Sequence, residues 1–387
     1  MVKLLYAGFD TIDIAFSGAL PQAILDELET ARENAEKEQE RVLVNIGPNR
    51  VPAHIEGFGK KGGYRHLLDT GPLGAKWMIK RNADPNQWNI FASPRATMLL
   101  AYGYRETFDR LIGELTAMGG RITGHSINRV DFAMDFETRG FELRPEQVVA
   151  HSHTKVSPYW GTKSPAEDSN QPTTVFRGRR VESITIGKQP GRQIIIYDKR
   201  REAIERQKWV WFETWGKDRQ DKDLEVWRIE VRAGKSELKE KYRLTTIQDF
   251  ETAIGDVITN ALESVRYLAD QQLDSNVSRQ DVHPIWRTAQ ATAAADLISL
   301  RAGLTPGQVR EVERAKAQET YLALCAGNAI GLGISKGITD EEIQQRLPEL
   351  LSMDIAEHFQ AKGQDLYVSI KRCRDRMVFL ESTKITI

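Results

Sequence analysis

The 387-residue sequence predicts an α+β protein: a mainly antiparallel sheet with helices packed on one face, followed by an all-helical C-terminal region. Three observations predict it. Apolar and polar residues alternate at Thr11–Phe16, Arg129–Phe136 and Trp227–Arg232, the pattern of half-buried strands. Between Trp88–Ala92 and Ile127–Phe136 lies a helical stripe of Phe108, Leu111, Ile112, Leu115 and Met118, stopped by Gly119-Gly120, which gives a strand-helix-strand unit. From Thr245 onward the period turns helical: Ile247, Phe250, Ile254, Val257, Ile258, Ala261, Leu262, Val265 and Leu268 stay in phase.

The remaining elements follow in chain order. Residues from about Gln22 to Arg41 place Leu25, Leu28, Ala31 and Ala35 on one stripe amid charge, a surface helix. Strand character resumes at Val42–Ile46 and continues as a meander to Ala92. Gly57-Phe-Gly-Lys-Lys-Gly-Gly63 lacks the Walker pattern and reads as a hairpin tip whose lysines can meet a nucleic-acid backbone. A short helix is expected near Pro145 to His151, then a polar loop. Ser183–Gly187 and Gln193–Lys199 form a hairpin turned by Pro190-Gly191. Thr305-Pro306-Gly307-Gln308 and Thr339-Asp-Glu-Glu342 start helices as capping boxes. A domain boundary is placed near Tyr242, giving a catalytic domain over 1–242 and a helical domain over 243–387.

Composition narrows the function classes. No run of about 18 apolar residues is present, and the N-terminus lacks a basic start followed by an apolar core, so a cytoplasmic protein without membrane contact is expected. Two cysteines, Cys325 and Cys373, are too few for a disulfide framework and lack zinc-site spacing; both read as small core residues. The formal net charge is zero, yet residues 177–243 hold 19 Lys/Arg against 12 Asp/Glu, and the rest of the chain holds 35 against 42. A locally basic segment inside a neutral chain points to an anionic ligand there.

Strand alternation gives that segment a chemistry. On Arg129-Val-Asp131-Phe-Ala-Met-Asp135-Phe136, one face carries Arg129, Asp131 and Asp135, and the other is apolar. On Trp227-Arg-Ile-Glu230-Val-Arg232, residues Arg228, Glu230 and Arg232 oppose Trp227, Ile229 and Val231. Tyr197 and Lys199 share a face of Gln193–Lys199. If these strands are neighbours, one face gathers a tyrosine, three carboxylates and several cations. Clustered carboxylates without histidine suit Mg²⁺ or Mn²⁺, and a tyrosine oxygen beside such an ion can attack phosphorus. An exposed polar sheet face needing no function is the competing reading.

The order of Arg-Val-Asp-Phe-Ala-Met-Asp-Phe, then Thr-Ile-Gly-Lys-Gln-Pro-Gly-Arg-Gln-Ile-Ile-Ile-Tyr-Asp-Lys-Arg-Arg-Glu, then Trp-Arg-Ile-Glu-Val-Arg resembles the replication initiation factor family. That family includes rolling-circle plasmid initiators, filamentous-phage initiators and relaxases of integrative elements. The likeness spans roughly Leu5 to Lys241. It implies a rolling-circle nickase fold in which a tyrosine cuts origin DNA, stays joined to the 5′ phosphate and frees a 3′ hydroxyl. Carried over by position, Tyr197 is the nucleophile, with Lys199 and Arg228 beside it. Asp131 and Glu230 match the metal-binding acids, and Asp135 is the third candidate. DNA contacts are expected from Arg129, Lys188, Arg192, Arg200, Arg201 and Arg232.

The resemblance further implies origin DNA as partner and a polymerase that uses the freed 3′ hydroxyl; in-line geometry requires the nick site to be single-stranded or extruded, and the C-terminal helices are candidates for origin recognition, for contact with a host helicase or for pairing with a second copy of the chain. A mobilisation relaxase and a non-catalytic origin-binding regulator are the alternatives, and Tyr242 is a candidate second tyrosine. His151-Ser152-His153 has the spacing of the histidine pair in other rolling-circle nickases, but its middle residue is polar, so loop histidines are expected. Lys208-Trp209-Val-Trp211-Phe-Glu-Thr-Trp215 mixes indoles with cations. A strand packing edge competes there with a surface for stacking bases, for which Trp215 is the residue expected to be exposed. The basic cluster Lys371-Arg372-Cys-Arg374-Asp-Arg376 reads as a solvated helix face.

Overall fold

In the computed structural model, described over residues 2–150, 173–177, 180–269 and 280–380, the chain forms an antiparallel sheet with helices and a separate helical C-terminal unit. In chain order the elements run β1 (Lys3–Ala19), α1 (Gln22–Glu38), β2 (Val42–Ile46), β3 (Val51–Ile55), β4 (Tyr64–Asp69), β5 (Ala75–Lys80), β6 (Trp88–Pro94), α2 (Ala96–Ala117) and β7 (Arg121–Thr138). They continue with β8 (Val148–Ala150), β9 (Thr173–Arg177), β10 (Arg180–Gly187), β11 (Arg192–Asp198), α3 (Lys199–Glu205), α4 (Val210–Trp215), β12 (Glu225–Ala233), α5 (Ile247–Ser264), β13 (Val265–Tyr267) and α6 (Pro284–Ala293). The last helices are α7 (Pro306–Ser335), α8 (Asp340–Lys362) and α9 (Gln364–Met377).

Eleven strands make one sheet in the order β2-β3-β4-β5-β6-β1-β7-β12-β11-β10-β9, so the three strands singled out by their alternation, β7, β12 and β11, are consecutive neighbours. The long β1 and β7 pair over nearly their whole length, and four register shifts bend the pair. One hydrophobic core lies on one side of this sheet. It takes Val130, Phe132, Met134 and Phe136 from β7, Trp227, Ile229 and Val231 from β12, and Ile194 and Ile196 from β11. Helices α1, α2 and α5 cover it with Leu25 and Leu28, Leu111 and Leu115, and Phe250, Ile254 and Val257. Burying a Leu, Ile or Phe side chain contributes about 2 kcal/mol each, so this single layer fixes which face of β7, β12 and β11 turns away from the core.

The β10–β11 hairpin forms as the sequence predicts. Gly187 sits at φ +79°, and a Cβ there would lie 2.2 Å from the Arg192 carbonyl oxygen, so the position needs glycine. The segment from Gly57 to Gly63 is the β3–β4 connection, with Lys60 and Lys61 exposed.

Five expectations are corrected. The compact first unit runs to Pro306, past the boundary placed at 242, because the apolar stripe of α5 lies on the sheet: Phe250 meets Phe9 and Tyr104 at ring distances of 5.9 and 5.3 Å. The region after Thr245 is not all helical, since α5 ends at Ser264 and β13 pairs with β8 in a small second sheet. β-Branched Val265 and the Tyr267 hydroxyl, which receives a hydrogen bond from the Arg144 amide, hold that strand. The helix expected at 145–151 is a single 3₁₀ turn, Pro145–Gln147, leading into β8. The Trp209–Trp215 stretch is a short helix rather than a strand edge. Cys325 and Cys373 are exposed, not core.

The second unit, Gly307–Ile387, is helical. The Thr339–Glu342 capping box starts α8 as expected. Its three helices bury only Val309, Gly333, Leu347 and Leu351 among the described residues, whereas Leu322, Leu324, Met353, Phe359 and Tyr367 are exposed. Among the described residues no single helix is long and apolar enough to cross a membrane.

At the far end of the sheet, Glu29 of α1 is a buried hub. Its carboxylate accepts from Arg65 Nη2 at 2.7 Å and Arg32 Nε at 3.1 Å, and lies 3.1 Å from His66 Nε2. The hydrogen bonds from Arg65 and then Arg32 and His66 outweigh burial and lower its pKa from 4.5 to about 2. A depressed carboxylate adds stability that is complete above pH 4.5 and is lost as pH falls toward 2. Between those values wild type is expected to lose about 2 kcal/mol that Glu29→Gln does not, read as unfolding free energy against pH. Equal slopes in the two proteins would remove Glu29 from this role.

Candidate active site

Register builds the site. On β12 and β7, Arg228 pairs with Asp135, Glu230 with Ala133 and Arg232 with Asp131. On β11, Tyr197 pairs with Arg228. Because the opposite parity is committed to the core, all six of these polar side chains emerge on the same sheet face.

One half of the face is a row that reaches solvent. The Tyr197 hydroxyl donates to Glu230 Oε2 at 3.0 Å. Glu230 Oε1 accepts from Arg232 Nε at 2.6 Å, and the same nitrogen is 3.6 Å from Asp131 Oδ2. Asp131 accepts from Arg129 Nε at 2.8 Å and Nη2 at 2.5 Å. Both carboxylates are 2% exposed, whereas the two arginine side chains are 35% and 29% exposed, so the cations form the lip of the site. Burial raises Asp131 to about pKa 6; Arg129 opposes this and Glu230 adds to it. Burial also holds the Tyr197 phenol well above its usual pKa, with Arg228 working against that and Glu230 reinforcing it.

The other half is closed. Arg228 is fully buried and donates to both oxygens of Asp135, at 2.6 and 2.8 Å, and to Asp10 Oδ1 at 2.9 Å. The Trp215 indole donates to Asp135 Oδ2 at 2.9 Å, and Trp211 lies flat against the cations, 4.0 Å from Arg228 and 4.5 Å from Lys199 Nζ. Lys199 is buried, donates to Glu202 at 2.8 Å and sits 5.6 Å over the Tyr197 ring. Burial, helped by Arg228, lowers its pKa to about 8. Helix α3 is capped by Asp198, whose side chain accepts from the Arg201 amide, so the chain turns away immediately after Tyr197 and tucks Lys199 inward.

This geometry sorts the expected residues. Tyr197, Glu230, Asp131, Arg129 and Arg232 come together. Asp135 is committed to Arg228 and Trp215 and is not free to ligate. Trp215, expected to be exposed, is 6% exposed, with its indole N–H turned onto Asp135. Lys199 and Arg228 are walls of the site without access to a phosphate. Arg192 has the parity opposite to Tyr197 and faces Glu237 at 3.8 Å. Lys188 is exposed in the hairpin turn; Arg200 bonds the Asp221 carbonyl and Arg201 bonds Glu182 and Glu205, both from α3. Sequence reasoning missed Tyr6, Asp10 and Trp211. The alternation Tyr6, Gly8, Asp10 carried the signal for the first two, because β1 begins at Lys3 and not at Thr11.

No family profile and no curated protein matches this chain. The structure of a rolling circle replication initiator protein from Geobacillus stearothermophilus aligns over 79% of this chain and 100% of its own, at 13% identity and a TM-score of 0.38. The likeness to the replication initiation factor family therefore stays one of motifs, and the site is read from its own residues.

A divalent ion has a partial fit. Among the described residues no group of three or more His, Cys, Asp or Glu side chains is arranged to hold a metal, so the expected trio of Asp131, Glu230 and Asp135 is not assembled. His151 and His153 lie outside the described residues. Asp131 and Glu230 do fit, because one nitrogen of Arg232 reaches both. One or two carboxylates completed by water and substrate phosphate is a usual Mg²⁺ arrangement.

Proposed function

We propose that this chain nicks and rejoins DNA by transesterification at Tyr197, as an initiator of rolling-circle replication. The observation that carries the reading is the Tyr197 hydroxyl bonded to a buried carboxylate at the end of a row lipped by two arginines. A phenol beside a proton acceptor is a nucleophile in waiting, and guanidinium groups at the rim match a phosphodiester.

In this reading Arg129 and Arg232 bind the non-bridging oxygens of the scissile phosphate and offset their charge. Glu230 takes the phenol proton as the Tyr197 oxygen attacks phosphorus. The bond from phosphorus to the 3′ oxygen breaks, the 3′ oxygen takes a proton, and the 5′ side remains on Tyr197 as a phosphodiester. One diester replaces another, so the reverse reaction rejoins the strand without an energy source. A divalent ion held by Asp131 and Glu230 would supply further charge neutralisation at phosphorus and favour the phenolate. The in-line approach needs a strand free of its complement, which makes single-stranded or extruded origin DNA the substrate. Lys199 and Arg228 act as positioning residues that fix the Tyr197 ring and the strand beneath it.

The test incubates the purified chain and Mn²⁺ with the supercoiled replicon that carries its gene. Open circles with protein on the 5′ end support the reading; intact substrate with specific retardation in a gel would instead make the chain an origin-binding regulator.

A further inference from the structure

All four oxygens of the two buried carboxylates are occupied. Glu230 Oε2 accepts from Tyr197 and Oε1 from Arg232, while Asp131 Oδ1 and Oδ2 accept from Arg129, with Arg232 also near Oδ2. Within the row, Arg232 is the cation that touches both acids. We infer that Arg232 is a resident occupant of the cation position between Asp131 and Glu230, and that it leaves when a divalent ion enters and moves onto the DNA phosphate. This rests on the reading above, in which those two acids bind the ion.

Charge and exposure both favour that exchange. At rest the row is neutral, two carboxylates against two guanidinium groups. With a divalent ion added and both arginines retained it carries two positive charges, a state that repels Arg232 and attracts a phosphodiester. Arg232 can respond: its side chain is 29% exposed and has one short bond, to Glu230. Arg228 on the same strand cannot, because it is fully buried and makes three bonds to two acids. Arg129 grips Asp131 with both ends of its fork but does not touch Glu230, so it can stay while the ion binds. A phosphate that draws Arg232 outward vacates the ion's place, and an ion that expels Arg232 frees a phosphate ligand. Ion and DNA therefore bind with positive coupling, which is reciprocal.

The experiment measures Mn²⁺ affinity by electron paramagnetic resonance of the free ion, on the full chain, with and without a saturating single-stranded oligonucleotide. Wild type, Arg232→Gln, Arg232→Lys and Asp131→Asn are compared after thermal melts confirm folding. Arg232→Gln is expected to bind Mn²⁺ about tenfold tighter than wild type without DNA, Arg232→Lys to stay near wild type, and the oligonucleotide to tighten wild type about five- to tenfold but Arg232→Gln hardly at all. If Asp131→Asn abolishes binding and Arg232→Gln does not tighten it, the role of Arg232 falls while the ion site stands. Wild-type binding that is absent, or that survives Asp131→Asn, overturns both.

Discussion

Tyr197→Phe is expected to eliminate nicking, by a factor on the order of 10⁴ or more, while leaving the fold intact. The two effects separate cleanly at this position. Phenylalanine keeps the ring over which Lys199 lies and removes only the hydroxyl. Glu230 loses one hydrogen bond of 3.0 Å but keeps Arg232 at 2.6 Å, so no carboxylate is left unpaired and the cost is about 1 kcal/mol. Oligonucleotide binding should persist, since Arg129 and Arg232 are untouched. The measurement is the open-circle assay beside a denaturation curve. Open circles formed at the wild-type rate would remove Tyr197 from the nucleophile role. A second tyrosine on this face, Tyr6, is a poor substitute: it is 6% exposed, its hydroxyl donates to the Phe9 carbonyl, and burial holds its phenol well above its usual pKa.

The difference between the two halves of the site shows what the sequence could convey. Parity along β7, β12 and β11 was legible because each strand commits one face to the core, and an alternating strand can hide its apolar residues in only one way. That placed Asp131, Asp135, Glu230, Arg228, Arg232 and Tyr197 together. Parity does not say which acid meets which arginine. Asp131 and Asp135 share a face and differ only in what arrives from elsewhere: Asp10 at a register shift in β1, and Trp211 and Trp215 on a helix of six residues, too short to show a period. Trp215 beside Gly216 looked exposed because glycine and charges are its sequence neighbours, whereas its spatial neighbour is a carboxylate eighty positions back. Likewise Val265 and Leu268 continue the phase of α5, so only the partner strand β8 reveals that the helix has ended.

Arg228→Met is expected to be the most destabilising single change in the site, about 3 to 5 kcal/mol. Asp135 is completely buried and would keep only the indole N–H of Trp215, and Asp10 would lose its partner. Burial opposes ionisation of Asp10, and Arg228, aided by Lys199, is what holds its pKa below the usual value. Every tryptophan in the chain precedes Pro306, so selectively excited tryptophan fluorescence in urea reads the first unit alone. A midpoint shift worth less than about 1 kcal/mol would mean that water or rearrangement satisfies both acids. The companion variant Arg228→Met/Asp135→Leu removes the buried charge together with its partner and should recover most of the loss, because the penalty comes from an orphaned carboxylate more than from a missing attraction. Such a recovery in stability without a recovery in nicking would separate the two duties of Arg228, neutralising the floor of the site and holding the strand on which Glu230 and Arg232 are mounted. In the proposed mechanism the same strand carries, at alternate positions 228, 230 and 232, a fully buried arginine with three bonds to two acids, the acid assigned the phenol proton and the half-exposed arginine assigned to the exchange, so the first would give the third a fixed frame.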